Sequence, residues 1–243
     1  MKKNLEILIN SFSDYIKIFP QSSITYKDGI HILNSETSAT PSNIMIVEDF
    51  SILDKKKFIL DNFNKRGLIF HDSKSIESSL VDIYSDKVFY IGEYPIMERN
   101  EVETNYSAPY YDNLYIENNK TKSIVNNDFK EIFLSSRGLE DMQLKIDKKE
   151  NIHIFVCYMN DKPVGFLSAV SFQESAFVVE AYVKTNYRNY GVLTALSQYA
   201  KEYGLSHGIY NFYSIATSEH TVNVIANQGH TLVDTVHMWE IVE

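Results

Sequence analysis

The sequence predicts a mixed α/β fold, an α+β arrangement of helices on one mixed sheet. Three observations predict it. Two apolar, β-branched runs, NIHIFVCYM (151–159) and KPVGFLSAVSF (162–172), flank Asn160-Asp161 as the arms of a hairpin. A strand at 176–183, a helix at 191–204, a strand at 210–217 and a helix at 218–227 then alternate before final strands through WEIVE. The opening MKKNLEILINSFSDYIKIF carries apolar residues at helical spacing, interrupted by Glu6 and Asp14, and reads as an amphipathic helix.

Between these lie the remaining elements. SITYKDGIHIL has two β-rich runs around Asp28-Gly29, a hairpin turn signal. SETSATPS (35–42) reads as a loop and IMIVE (44–48) as a short buried strand. DKKKFILDNFNKR (54–66) spaces Phe58, Ile59 and Phe63 for a helix that Gly67 stops. A Ser-rich helix start near 73–79 and a strand in KVFYIGEYPIM follow. From 100 to 122 the composition turns to Asn, Tyr, Glu and Ser with little apolar periodicity. We therefore place a domain boundary near residue 110, giving units 1–110 and 111–243. DNLYIE (112–117) opens the second unit as a strand, and NDFKEIFLSSRG (127–138) is a short helix ended by Gly138.

Composition removes several classes. With 44% hydrophobic residues in 243, the chain can bury a core in one large or two small domains. A net charge of −9 argues against a nucleic-acid partner, whose phosphates need a basic face. No run approaches the roughly 18 apolar residues that span a bilayer, so no membrane partner is expected. The amino terminus lacks a continuous apolar core, so it is not read as a signal peptide. The single Cys157 excludes an intrachain disulfide framework and fits a reducing compartment. A soluble, cytoplasmic protein is the expectation, as monomer or homodimer. The histidines are scattered without metal-ligand spacing, and no metal is expected.

One stretch points to chemistry. In VKTNYRNYGVLTAL (183–196) a β-branched run ends, Arg188 appears, Gly191 follows, and an apolar helical pattern begins. A pyrophosphate needs several backbone N–H groups aimed into one concavity, and a helix N-terminus supplies them with a favourable dipole. Gly191 would let the backbone approach closely, and Arg188 could add a charge-assisted contact. On spacing alone, a lone Gly at a helix start reads first as a turn residue. Neither standard nucleotide loop, G-x-x-x-x-G-K-[ST] or G-x-G-x-x-G, is present.

Arg188-x-x-Gly191 after a strand resembles the acyl-CoA loop of the GNAT superfamily of N-acyltransferases, Q/R-x-x-G-x-G/A. Leu193 departs from that pattern at the second small residue. The resemblance runs in order over residues 112 to 243: Val164-Gly165-Phe166 in the hairpin, AFVVEAYV (176–183) before the loop, FYSIAT (212–217) after its helix, Asn223 in SEHTVNVIANQ, then Gly229-His230. It implies a GNAT fold in the second half and acetyl-CoA as co-substrate. Tyr182, Val183, Arg188, Asn189, Tyr190, Gly191, Val192 and Asn223 would contact the donor, with its thioester carbonyl near Tyr182–Val183. In the first half, GLIFHDSKSIE followed by VFYIGEYPIMERN resembles the closing elements of tandem GNAT proteins. No Arg-x-x-Gly follows a strand there, so that half reads as a degenerate GNAT-like domain walling the acceptor site.

Acetyl transfer to an amine requires a proton acceptor, stabilisation of the oxyanion and protonation of the leaving thiolate. Glu180 is the candidate base; the same residue also reads as solvent-facing or structurally satisfied. Strand alternation places Glu180 with Tyr182, and Val179, Ala181 and Val183 opposite. The family's usual acid, a Tyr in the late helix, maps to Ile225, leaving Tyr213, His220 or Ser218 as substitutes. Ser218 also reads as the cap of its helix and His220 as a surface residue. The expected reaction moves an acetyl group from acetyl-CoA to a primary amine of a small molecule. A non-catalytic acyl-CoA sensor and a transferase of a longer acyl chain are the alternatives.

Overall fold

The computed structural model describes residues 3–35, 43–48, 51–63, 66–99, 113–137, 142, 144–146 and 150–242, with the side chains of Lys3, Asn4 and His220 left out. The chain begins with α1 (Lys3–Tyr15), whose apolar side buries Leu5, Leu8 and Phe12, and a single 3-10 turn, Ile16–Ile18, continues it. The hairpin of β1 (Ser23–Lys27) and β2 (Ile30–Asn34) turns at Asp28 and Gly29, both at positive φ. Next come β3 (Asn43–Val47), a 3-10 turn at Ile52–Lys55, α2 (Lys56–Asn62), β4 (Gly67–His71), α3 (Glu77–Tyr84) and β5 (Val88–Arg99). Thus the helix expected over 54–66 is split, and the strand in KVFYIGEYPIM runs on to Arg99. The place assigned to the domain boundary, near residue 110, and Gly138 both lie outside the described residues.

The second half follows with β6 (Leu114–Asn118), α4 (Ile124–Ser136), β7 (Ile152–Met159), β8 (Lys162–Phe172) and β9 (Ser175–Val183). Then come α5 (Val192–Ser206), β10 (Asn211–Ile215), α6 (Glu219–Asn227) and β11 (Thr231–Ile241). The hairpin at Asn160-Asp161 forms as expected, both residues at positive φ.

Among the described residues eleven strands form one sheet in the order β1-β2-β3-β4-β11-β5-β10-β9-β8-β7-β6. Two neighbouring pairs are parallel, β3 with β4 and β10 with β9; the others are antiparallel. The order β3-α2-β4-α3-β5 recurs as β9-α5-β10-α6-β11, but the closing strands are exchanged. β11 lies against β4, and β5 lies against β10. The two halves are therefore joined by main-chain hydrogen bonds through the middle of the sheet.

Both faces of this sheet are covered, so β3 and β7 are buried at every position instead of alternating, Asn43 and His153 being their polar members. On one face α1 and α4 pack Phe12, Phe129 and Phe133 over Phe70, Phe166 and Phe177. On the other, α2 and α3 cover Met45, Ile69 and Trp239, and α5 covers Phe155 and Leu167. α1 touches β2, β3, β8, β9 and β11, so the first helix spans strands of both halves.

Candidate active site

Two features of the second half build a cleft. Parallel strands β9 and β10 pair from Ser175/Asn211 to Val178/Ser214 and no farther. Beyond that point β9 continues to Val183 beside β8 alone. The divergence begins at a β-bulge: Ser168 is opposite Glu180 and Ala169 opposite Val178, so Val179 is the extra residue. The bulge corrects the expected alternation. Val179 packs into the same core as Tyr182, on the α1 side with Glu180, because one inserted residue resets the two-residue period.

Main-chain geometry shows which groups face the opening. Lys184 N donates to Val164 O at 2.9 Å and Ser168 Oγ to Glu180 O at 3.3 Å, so Glu180, Tyr182 and Lys184 direct their peptide groups at β8. The intervening Ala181 and Val183 turn theirs to the side on which β10 has departed. Sequence reasoning named Tyr182 and Val183; the bonds exchange Tyr182 for Ala181. The Val183 carbonyl accepts from Arg188 Nε at 3.2 Å, which folds the arginine back over the strand end.

The loop between β9 and α5 has the form expected of an anion cradle. Asn189 and Gly191 both hold positive φ, and Gly191, at φ 70° and ψ 9°, is the N-cap. No side chain caps α5, so its first-turn amides are left for solvent or a ligand. Gly165 explains how the helix start reaches the strand edge. A Cβ there would stand 2.8 Å from Tyr182 O and 3.2 Å from Val192 Cγ1. Leu193 lines the cleft beside the cradle, where the sequence pattern led one to expect a small residue.

The cleft encloses a cavity of about 330 Å³ between β9, β10, α5 and α6, lined by Val178 to Ala181, Leu193, Ile215, Thr221, Val224 and Ile225 among others. At its strand wall, Glu180 is held from two directions. The Tyr15 hydroxyl donates to Oε2 at 3.1 Å, and Arg137, at the end of α4, ion-pairs with Oε1. Arg137 also stacks on Phe133, 3.8 Å from its centroid. Burial pushes the Glu180 carboxyl above its ordinary value, with the Arg137 charge and the Tyr15 hydrogen bond opposing. Burial foremost, then Glu180, raises Tyr15 well above a usual phenol, so Tyr15 is a donor and not a phenolate. Neither Tyr15 nor Arg137 could be read from sequence, where one is an amphipathic-helix residue and the other a helix-end cation.

Residues 122–227 match the acetyltransferase (GNAT) family model. That segment, somewhat under half of the chain, is similar to GNAT acetyltransferases. No curated protein matches the sequence significantly. Among solved structures, a GCN5-related N-acetyltransferase from Kribbella flavida superposes with TM-score 0.67 at 8% identity, covering 98% of this chain and 94% of that one. A GCN5-related N-acetyltransferase-like protein from Streptococcus suis gives 0.61 at 12% identity, over 91% and 88%. A tandem GNAT protein from the clavulanic acid biosynthesis pathway gives 0.58 at 11% identity, over 91% and 83%. The last two-part likeness covers both halves of the sheet.

Within this segment two expected contacts, Tyr213 and Asn223, are not brought to the cleft. Tyr213 points to the α1 side, buried in the core, where its hydroxyl bonds Glu98. The reason is strand alternation: Phe212 and Ser214, its neighbours, line the cavity instead. Asn223 is exposed, because Thr221, Val224, Ile225 and Gln228 take the inward face of α6 at helical spacing. Ser218 caps α6 by accepting from Thr221 N at 3.1 Å, as expected. His220's side chain lies outside the described residues. Ile225 lines the cavity and offers no proton there. Cys157 is a core residue whose thiol burial pushes up to about 12. Among the described residues no group of three His, Cys, Asp or Glu is placed to hold a metal ion, and no helix is long and apolar enough to cross a membrane.

Proposed function

We propose that this protein is an acyl-CoA-dependent N-acyltransferase that moves an acetyl group from acetyl-CoA to a primary amine of a small molecule. The observation that carries the reading is the departure of β10 from β9 after Ser214/Val178, which bares a strand edge leading to the uncapped start of α5. The family match over residues 122–227 and the fold support acyl transfer in general. The residues also fit the donor. Amides of Gly191, Val192 and Leu193 and the Arg188 guanidinium suit a pyrophosphate. The peptide groups that Ala181 and Val183 turn away from β8 suit the pantetheine amides, with the Val183 carbonyl already bonded by Arg188 Nε, and a donor bound there would carry its thioester near the bulge at Val179 and Glu180.

In the reaction the amine nitrogen forms a bond to the thioester carbonyl carbon, the carbon–sulfur bond breaks, and CoA leaves as the thiolate. Glu180 takes the proton the amine loses, directly or through a water. The thiolate gains its proton from solvent, since Ile225 stands where a tyrosine would serve. The acceptor site is then walled on one side by the first half, because Tyr15 of α1 reaches Glu180. A closed site of this kind favours a small amine over a protein substrate. Thermal melting with acetyl-CoA and CoA tests the reading: both should raise the melting temperature at millimolar ligand. A flat response to either would remove it, and binding without thiol release across an amine panel would favour a non-catalytic acyl-CoA sensor.

A further inference from the structure

The cavity does not end at the bulge. It continues on the α5 side past the point where β9 and β10 rejoin, to a far wall made by Arg99, Lys201, Ser214, Gln228 and His230. These come from β5, α5, β10, the C-cap of α6 and the residue before β11, so the exchanged strand β5 helps build it. Gln228 is 4% exposed and its Nε2 has no hydrogen-bond partner; Ser214 is 7% exposed and its Oγ has none. His230 Nδ1 is likewise buried without a partner. Burial, then the Arg99 charge, lowers the His230 imidazole to about 4, with a hydrogen bond to the Ile225 backbone opposing, so it is neutral near pH 7. The far wall thus collects hydrogen-bond donors and two cations, and Glu180, at the other end, is the one carboxylate among the lining residues. A desolvated set of donors in a cavity is matched by a carboxylate, which accepts only.

We infer that the cleft accepts, beyond acetyl, an acyl group that ends in a carboxylate, the monothioester of a short dicarboxylic acid, with that carboxylate seated among Ser214, Gln228, His230, Arg99 and Lys201. The inference rests on the acyl-CoA reading above. Reach agrees with it: Ser214 is in register with Val178, two residues and roughly 7 Å along β9 from Glu180, a span that a succinyl or glutaryl chain covers. Chemistry at the carbonyl is unchanged, with the C–N bond formed, the C–S bond broken and the distal carboxylate a spectator.

Isothermal titration of the full chain with CoA, acetyl-CoA, butyryl-CoA and glutaryl-CoA tests this. Glutaryl-CoA should bind about tenfold tighter than butyryl-CoA, the gain of a charge-assisted hydrogen-bond set. Gln228→Glu should abolish or reverse that preference for glutaryl-CoA over butyryl-CoA while acetyl-CoA binding remains measurable. Ser214→Ala, a smaller change, should reduce the preference and guards against a misfolded first variant. If acetyl-CoA binds and glutaryl-CoA binds no tighter than butyryl-CoA, the carboxylate seat is overturned and the acyl-CoA-binding reading stands. If none of the four binds, both fall together.

Discussion

The Tyr15 hydroxyl donates to Glu180 Oε2 at 3.1 Å across 165 residues of sequence, tying α1 to the bulged strand β9. Arg137 occupies the other carboxylate oxygen, so Glu180 is neither a solvent-facing residue nor a lone desolvated base. Its proton affinity is set by three elements that meet only in the folded state.

Replacing Glu180 by Gln keeps the shape and removes the proton acceptor. The turnover rate should fall about 10²–10³-fold, in the range of general-base contributions, with the acetyl-CoA dissociation constant unchanged. Steady-state kinetics and titration of the same preparation check it, and an unaltered turnover rate would remove Glu180 as base.

Arg137 and Tyr15 both favour the charged carboxylate, so their removal moves the Glu180 pKa upward. In Arg137→Gln the acid limb of the kcat/KM profile should shift to higher pH, and in Tyr15→Phe it should shift the same way by less. A shift downward in either variant would contradict the assigned geometry.

Gly191 sits in the left-handed region, so Gly191→Ala should cost about 1–2 kcal/mol of stability in urea unfolding. Gly191→Glu should carry a similar cost and, in addition, abolish CoA binding by placing a negative charge where a pyrophosphate would lie. Retained affinity in the Glu variant would mean that the cradle is elsewhere.

Tyr213 bonds Glu98 on the core side of the sheet, away from the cavity. Tyr213→Phe should therefore lower stability by about 1–2 kcal/mol, leaving Glu98 short of a donor, with the pH–rate profile intact. A lost basic limb would restore Tyr213 as the acid.

Burial lowers the imidazoles of both His153 and His230 to about 4. A depressed folded-state pKa contributes stability that is complete above the unfolded value, roughly 6.5, and is lost as pH falls toward the folded value. Each histidine should withdraw about 2 kcal/mol by pH 5, so urea midpoints should drop steeply between pH 6.5 and 5. His153→Gln should flatten that decline; an unchanged slope would refute its contribution.

Much of this site was legible in order and little of it in orientation. Arg188-x-x-Gly191 reads on spacing alone as a turn and gains weight only from the ordered motifs around it, Val164-Gly165-Phe166 among them. Tyr213 and Asn223 were misdirected because a one-residue phase decides which side of a strand or helix faces the cleft. No local pattern signals the bulge at Val179, which moves that residue to the other side of the sheet.

The sequence by itself determined the elements, their order and the GNAT resemblance of the second half, since these follow from periodicity, turn residues and motif spacing. Tertiary structure alone decided that β5 and β11 exchange places, that Tyr15 and Arg137 converge on Glu180, and that Arg99 and Gln228 meet across one cavity. Strand pairing partners and the meeting of side chains far apart in the chain depend on packing of the whole sheet, and no window of sequence contains that information.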